Sequence, residues 1–380
     1  MELWSEFQQL SVFEQVLVAI FLLSALVQLL YYFLVMSKLA FYKDNSTKNA
    51  DLQPVSIIIA AHNEDYNLQK NLPALFNQNY PDFEVVVVNH ASSDNTSNVL
   101  FELQQKYSNL KIVNIERDLN FFKGKKFPLS IGIKSAKNEI LLLTDADCKP
   151  NSDKWIESMA SKFSTQTEIV LGYGPYNSSG GFLNHIIRYD TFMIAMQYFS
   201  FALMGLPYMG VGRNLSYRKS LFFKNKGFTS HYNIPSGDDD LFIMQVANRS
   251  NTKINVSSDT FMYSEAKPNF SRWFAQKQRH LSTSSYYSLI FKILLGGFSS
   301  SSLFFYLTLV ILLFKNIFII PVLSVMLITI LSRIFIQKKA GSQLSENQIL
   351  LFSLFGDILY VFMLPAITLI SLIRKPGRWK

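Results

Sequence analysis

EILLLTDAD, residues 139–147, decides how the rest of the chain is read. A continuous Ile/Leu run is what a strand buried on both faces requires, and this one ends in two carboxylates, Asp145 and Asp147. Residues two apart on an extended chain project to one side. The pair therefore repels itself unless a cation intervenes, and hard divalent cations take such oxygen ligands. An isolated Asp-x-Asp is otherwise a solvated turn; its place at the end of a buried strand weighs against that.

On either side of this stretch, short apolar runs alternate with segments of mixed polarity. Strands are expected at Val55–Ala61, Phe83–Asn89, Lys111–Ile115, Glu139–Asp145 and Glu168–Tyr173. Helices are expected at Tyr66–Asn77, Asp94–Tyr107, Phe127–Ala136 and Asp153–Phe163. The alternation predicts an α/β domain whose mostly parallel sheet lies between helices. Such sheets bind ligands beyond the carboxyl ends of their strands. There the chain places His62-Asn63-Glu64-Asp65 after the first strand and His90-Ala91-Ser92-Ser93-Asp94 after the second, with Asp94 set to cap the next helix.

Two further clusters carry charge. Lys123-Gly124-Lys125-Lys126 opens an expected helix, so backbone amides and ammonium groups together make an anion site, or else simply a solvated basic face. Ser236-Gly237-Asp238-Asp239-Asp240 opens another. Capping accounts for acids at a helix start, but three in a row exceed that need and leave one available as a general base.

The 380 residues are 49% hydrophobic and only 17% charged, against about 25% charged in soluble domains. The excess lies in four stretches, Val16–Met36, Ser299–Phe314, Ile317–Ile336 and Ile349–Ile373, of the length that crosses a bilayer. Lys315-Asn316 is expected as the turn between the second and third. Glu2, Glu6 and Glu14 precede the first stretch, while Lys38, Lys43 and Lys48 follow it. That pattern predicts a retained helix rather than a signal peptide, with the middle of the chain cytoplasmic. The basic tail at 374–380 argues for the opposite parity, which leaves three or four spans open. Arg333 is expected to snorkel from near a helix end, and Asp357, well inside the last stretch, needs a partner. Phe182–Leu206 and Ser284–Leu295 are expected as helices at the membrane interface. The single cysteine, Cys148, excludes an internal disulfide and reads as a small buried residue beside the acid pair. The net charge of +9 suits lipid head groups and phosphates; nucleic acid is not expected as a partner, since no motif for it is present.

The order VSIIIAAHNE, VVVNHASSD, KGKK, TDAD, SGDDD and Gln276-Lys277-Gln278-Arg279-His280 resembles the membrane-embedded family 2 glycosyltransferases. These include cellulose, hyaluronan and poly-N-acetylglucosamine synthases and ceramide glucosyltransferase. The resemblance runs from Val55 to His280. It implies a GT-A nucleotide-sugar-binding domain at 51–283, an N-terminal transmembrane helix and linker at 1–50, and an interfacial helix with further spans at 284–380. It implies a multi-pass protein of the cell membrane that transfers a sugar with inversion from a nucleotide-diphosphate donor, a UDP-sugar first. Matched residue by residue, Ala61, His62 and Glu64 line the nucleoside, with Asn89 beside them, and Lys125 lies near the nucleotide. Asp145 and Asp147 hold the donor and a Mg2+ or Mn2+ ion. Asp239 is the base when Gly237 anchors the match, and Asp240 when Leu241-Phe242 does. Gln276 and Arg279 sit over the donor diphosphate and the acceptor.

Three positions depart from the family pattern. Asn89-His90 stands where the family carries an aspartate pair, which leaves the donor base open. His280 replaces a tryptophan and removes a stacking surface. Pro128 replaces a small helix residue, tolerable near a helix start. The lost tryptophan and the few spans lean toward a single transfer to a membrane lipid over a processive polysaccharide synthase that secretes its product. A catalytically silent membrane scaffold is the third reading.

Overall fold

A computed structural model describes residues 2–44, 52–116 and 124–373. Lys48, Asp51, Lys123 and the basic tail at 374–380 lie outside the described residues.

Among the described residues nine strands form two sheets: β1 (Val55–Ala61), β2 (Phe83–His90), β3 (Leu110–Ile115), β4 (Ile140–Asp145), β5 (Cys148–Pro150), β6 (Ile169–Leu171), β7 (Leu215–Arg218), β8 (Thr252–Ile254) and β9 (Met262–Ser264). The main sheet has the order β3-β2-β1-β4-β7-β6-β8, and β5 pairs with β9 apart from it. β3, β2, β1 and β4 are mutually parallel; β7 runs antiparallel to β4 and β6. Every residue of β1 is buried, as the sequence requires of a strand covered on both faces. Ile58 and Ala60 face Leu129 and Ile133 of the helix Lys126–Ser135. Ile57 and Ile59 face Leu68, Leu72 and Leu100 on the other side. Each such burial contributes about 1.5–3 kcal/mol, so the layer that sets the strand ends is rigid.

The helix Phe182–Leu203, within the stretch expected at the membrane interface, is buried around its circumference: Ile187, Phe192, Met193, Met196 and Phe199 are enclosed, together with Asn184, Arg188 and Asp190. It joins one sheet face to the spans: its residues share a core with Ile58 and Leu141 of the sheet and with Tyr32, Met36, Phe298 and Ile336. The segment Ser284–Leu295 is likewise divided. A short 3-10 turn covers Ser284–Tyr286, and the next span begins at Leu289 rather than at Ser299.

Among the described residues three helices are long and apolar enough to cross a membrane: Val12–Ala40, Leu289–Phe314 and Ile319–Gln343. The first widens into a π-helical turn at Tyr31–Met36. Lys315 and Asn316 lie in the connection between the other two, and Lys315 reaches Glu14 at 3.1 Å. A further helix, Leu350–Ile373, contains the shorter apolar stretch Phe355–Ile370, which includes Pro365 and Asp357. Arg333 does not snorkel. It is 2% exposed, with Nε 3.5 Å from Asp357 Oδ2 and Nη1 donating to Tyr306 Oη at 3.0 Å. Tyr189, from the helix Phe182–Leu203, donates to the same aspartate. The two charges answer each other's desolvation, which neither could meet alone. The pair joins the two C-terminal hydrophobic helices, and the Tyr189 bond ties the helix Phe182–Leu203 to them.

Candidate active site

The register of the sheet brings the acid-bearing strand ends level. Ala60 lies opposite Asp145, Ala61 opposite Asn89, and Asn89 opposite Asn114. Beyond these ends the chain turns sharply: Asn63 and Ala91 adopt φ of 56° and 49°, a region that costs a non-glycine residue energy. Asn63 Oδ1 accepts from Ser93 N at 2.8 Å, and Asp94 Oδ1 accepts from Thr96 N at 3.0 Å, so the two loops brace each other and the helix start. His62 Nδ1 lies 2.6 Å from the His90 carbonyl oxygen. Asn89 is buried, and its amide donates to Ser97 Oγ and Asn114 Oδ1. Burial raises the carboxyl of Glu64, and Asp147 and Asp145 push it the same way.

Asp145 is held by Lys125. Burial alone would raise its carboxyl, but the Lys125 ammonium, with Arg213 and Arg279 behind it, keeps it below the ordinary carboxylate range. Lys125 also lies in the field of Asp238 and Asp239. The glycine beside it explains how the two clusters meet. Gly124 has φ +95°, and a Cβ there would stand 2.1 Å from the Pro235 carbonyl oxygen. Only glycine permits that approach. Lys126 is buried next to it and donates to the carbonyls of His231 and Ile234 at 2.6 and 3.1 Å, fixing the loop that leads into the aspartates. Burial lowers its ammonium to about 8.

The three aspartates differ in what they touch. Asp239 caps the helix Asp240–Val246: its Oδ1 accepts from Asp240 N and its Oδ2 from Gly212 N, both at 2.9 Å. Burial, with Asp238 and Asp240 alongside, pushes its carboxyl up to about 7. Asp240 is more fully engaged. Its Oδ2 accepts from Thr283 Oγ1 and Tyr287 Oη at 2.5 and 2.7 Å, and its Oδ1 from Leu241 N. Both line a cavity of 790 Å³ that also takes in Arg213, Gln276, Lys277 and His280. Gln276 donates to Tyr176 Oη at 3.1 Å, and Lys277 forms a buried ion pair with Asp190 at 2.8 Å. From there the cavity runs between the helices Leu289–Phe314 and Leu350–Ile373, past Phe291, Leu295, Gly296, Tyr360 and Leu364.

Asp145, Asp147 and Cys148 each offer one ligand atom within 4.8 Å of one another. Burial, followed by the two neighbouring carboxylates, raises the Cys148 thiol well above its ordinary range. The protonated sulfur is a poor ligand, and two hard oxygens remain, a donor set that fits Mg2+ or Mn2+. Thus Lys125, Asp145, Asp147, Asp239 and, through its field, Arg279 come together. His62, Glu64 and Asn89 stand to one side at the ends of the first two strands. Sequence alone assigns no role to Arg213, to Tyr176 or to the Lys277–Asp190 pair. No local pattern marks contacts made by residues 87 apart.

Residues 56–224 match Glycosyl transferase family 2, and residues 159–372 match Glycosyl transferase family group 2. A dolichyl N-acetyl-alpha-D-glucosaminyl phosphate 3-beta-D-2,3-diacetamido-2,3-dideoxy-beta-D-glucuronosyltransferase of Methanococcus voltae is 29% identical over 175 residues, which is 45% of this chain and 50% of that protein. A poly-beta-1,6-N-acetyl-D-glucosamine synthase of Staphylococcus epidermidis is 29% identical over 107 residues, 28% of this chain and 25% of the relative. The chain therefore spans between a quarter and a half of the length of these curated relatives. In fold it is similar to the mannosyltransferase PcManGT from Pyrobaculum calidifontis, solved with GDP-Man and Mn2+, with a TM-score of 0.56 over 91% of this chain and 98% of that one at 16% identity.

Proposed function

Because the chain belongs to glycosyl transferase family 2, we propose that it moves a sugar from a nucleotide-diphosphate donor to a membrane-associated acceptor in one inverting step. The observation that carries this reading is the cavity, which begins at Asp239 and continues between apolar residues of two hydrophobic helices. A lipid acceptor fits such a passage: its hydroxyl at the acid end, its chain among Phe291, Leu295 and Leu364. The passage is mainly apolar, although Lys292, Ser299, Tyr360 and Thr368 also line it, and His280 supplies no indole on which a growing glycan could stack.

In this reading Asp239 takes the acceptor proton. A carboxylate with a value of about 7 is a stronger base than an exposed one and is still about half ionised at neutral pH. Gly212 N–H holds the oxygen in place. The acceptor oxygen attacks the anomeric carbon, the bond to the diphosphate breaks, and a nucleoside diphosphate leaves. Lys125 and Arg279 offset the charge that develops on it. Asp145 and Asp147 would hold a divalent cation, which when bound would supply Lewis-acid stabilisation of the leaving group. Ala61, His62, Glu64 and Asn89 would flank the nucleoside, and Gln276 the acceptor side. In this reading residues 51–283 carry the chemistry and 1–50 and 284–380 hold it to the membrane, and the lysines that follow the first span, Lys38 and Lys43, support a cytoplasmic catalytic face.

The test is a panel of UDP- and GDP-sugars offered to the purified protein in lipid, with product size as the readout. One glycolipid of fixed mass supports the proposal. A ladder of long chains would transfer the reading to a polysaccharide synthase, and no product from any donor would sink both.

A further inference from the structure

The cations around the cavity are not equivalent. Lys125 is taken by Asp145 and Lys277 by Asp190. Arg213 instead lies flat against Tyr176, its guanidinium carbon 4.2 Å from the ring centroid, and its buried Nη1 has no hydrogen-bond partner among the described residues. A buried guanidinium donor left unpaired is costly, so packing alone does not account for it. Its field falls on Asp147 and Asp145, and it lines the cavity that Asp239 also lines.

The surroundings fix this side chain in advance. Gly174 leaves the room it occupies, since a Cβ there would come within 3.3 Å of Arg213 Cβ and Nε. The preceding residue, Gly212, is bonded to Asp239. The following residue is clamped inside the fold: Asn214 Oδ1 accepts from Trp155 Nε1 at 3.1 Å, and its amide donates to the carbonyls of Tyr173 and Thr260. The ring, the glycine and the anchored loop together present a planar fork of donors at the junction between the acid pair and the acceptor passage.

Resting on the transferase reading above, we propose that Arg213 is a phosphate-binding residue of this site, gripping phosphate oxygens with its free donors. A guanidinium matches phosphate in a two-point geometry that lysine cannot reproduce. The phosphate comes either from the donor diphosphate or from a phosphorylated lipid acceptor.

The experiment compares the full-length protein with Arg213→Gln and Arg213→Lys in detergent. Affinities are measured by calorimetry for UDP, GDP, the parent nucleosides and inorganic pyrophosphate, and for a polyprenyl phosphate in mixed micelles. Arg213→Gln should weaken binding of the phosphate-bearing probe by about 10- to 100-fold and leave nucleoside binding unchanged, with Arg213→Lys in between. Loss confined to UDP, GDP and pyrophosphate assigns the contact to the donor; loss confined to the lipid phosphate assigns it to the acceptor. If the folded Gln variant binds every phosphate probe as the parent does, or if the parent binds none, the proposal is overturned. Arg213-dependent pyrophosphate binding without transfer from any donor would uphold this site while refuting the broader functional reading.

Discussion

Replacing Asp239 with asparagine keeps the shape of the site and removes its base. Asn keeps one carbonyl oxygen, which can still accept from Asp240 N–H at the helix start, while the bond from Gly212 N–H is lost. A positioned base contributes about 100- to 10,000-fold, or about 3–5 kcal/mol of barrier, and kcat should fall by that factor. The pH profile gives a sharper signature. With the Asp239 carboxyl at about 7, the parent's kcat/KM should fall about tenfold per pH unit below that value, because only the ionised form accepts a proton. The asparagine variant should lose that limb. Stability should move the other way. The folded value of about 7 exceeds the unfolded one of about 3.9, so ionising Asp239 costs stability above pH 7, and the cost fades as pH falls toward 4. Asp239→Asn should therefore melt at a higher temperature than the parent at pH 8, by up to a few kcal/mol of stability, and at nearly the same temperature at pH 4. The assays are initial rates between pH 5 and 9 and thermal unfolding in detergent. A variant that keeps more than a tenth of parental kcat, or retains the acid limb at the same midpoint, would refute the assignment.

Three further outcomes follow from other parts of the molecule. Asp147→Asn should abolish transfer and also the rise in melting temperature that Mn2+ gives the parent; an unchanged Mn2+ response would move the metal elsewhere. Gly124→Ala forces a Cβ to within 2.1 Å of the Pro235 oxygen at φ +95°, so kcat/KM should drop at least about tenfold and stability by more than about 1 kcal/mol, read by kinetics and melting. Arg333→Met leaves Asp357 buried without its cation and should cost about 3–5 kcal/mol, most of which Arg333→Met with Asp357→Leu should recover; equal melting of the single and double variants would show that the pair is not coupled.

Much of this architecture is legible because it is local. The Val55–Ala61 strand coincides with its apolar run, and the place of Asp145 at the end of β4, with Asp147 just beyond it, follows from a strand buried along its apolar run. What escaped the sequence is long-range. Apolar density alone does not reveal that Phe182–Leu203 packs between the sheet and the hydrophobic helices, because those partners lie far along the chain. Arg333 and Asp357 each look like a defect in a span until a turn and a second helix bring them to 3.5 Å. The choice between Asp239 and Asp240 depends on Thr283 and Tyr287, residues 43 and 47 further along, whose hydroxyls occupy Asp240. The three-residue strands β5, β8 and β9 are too short for any period to show.

The most direct measurement counts both products of one reaction. In proteoliposomes given a nucleotide sugar labelled in the sugar, the account predicts one nucleoside diphosphate released for each labelled sugar that becomes extractable into organic solvent, with both signals lost in Asp239→Asn. Nucleoside diphosphate released while the label stays in water as free sugar would contradict it.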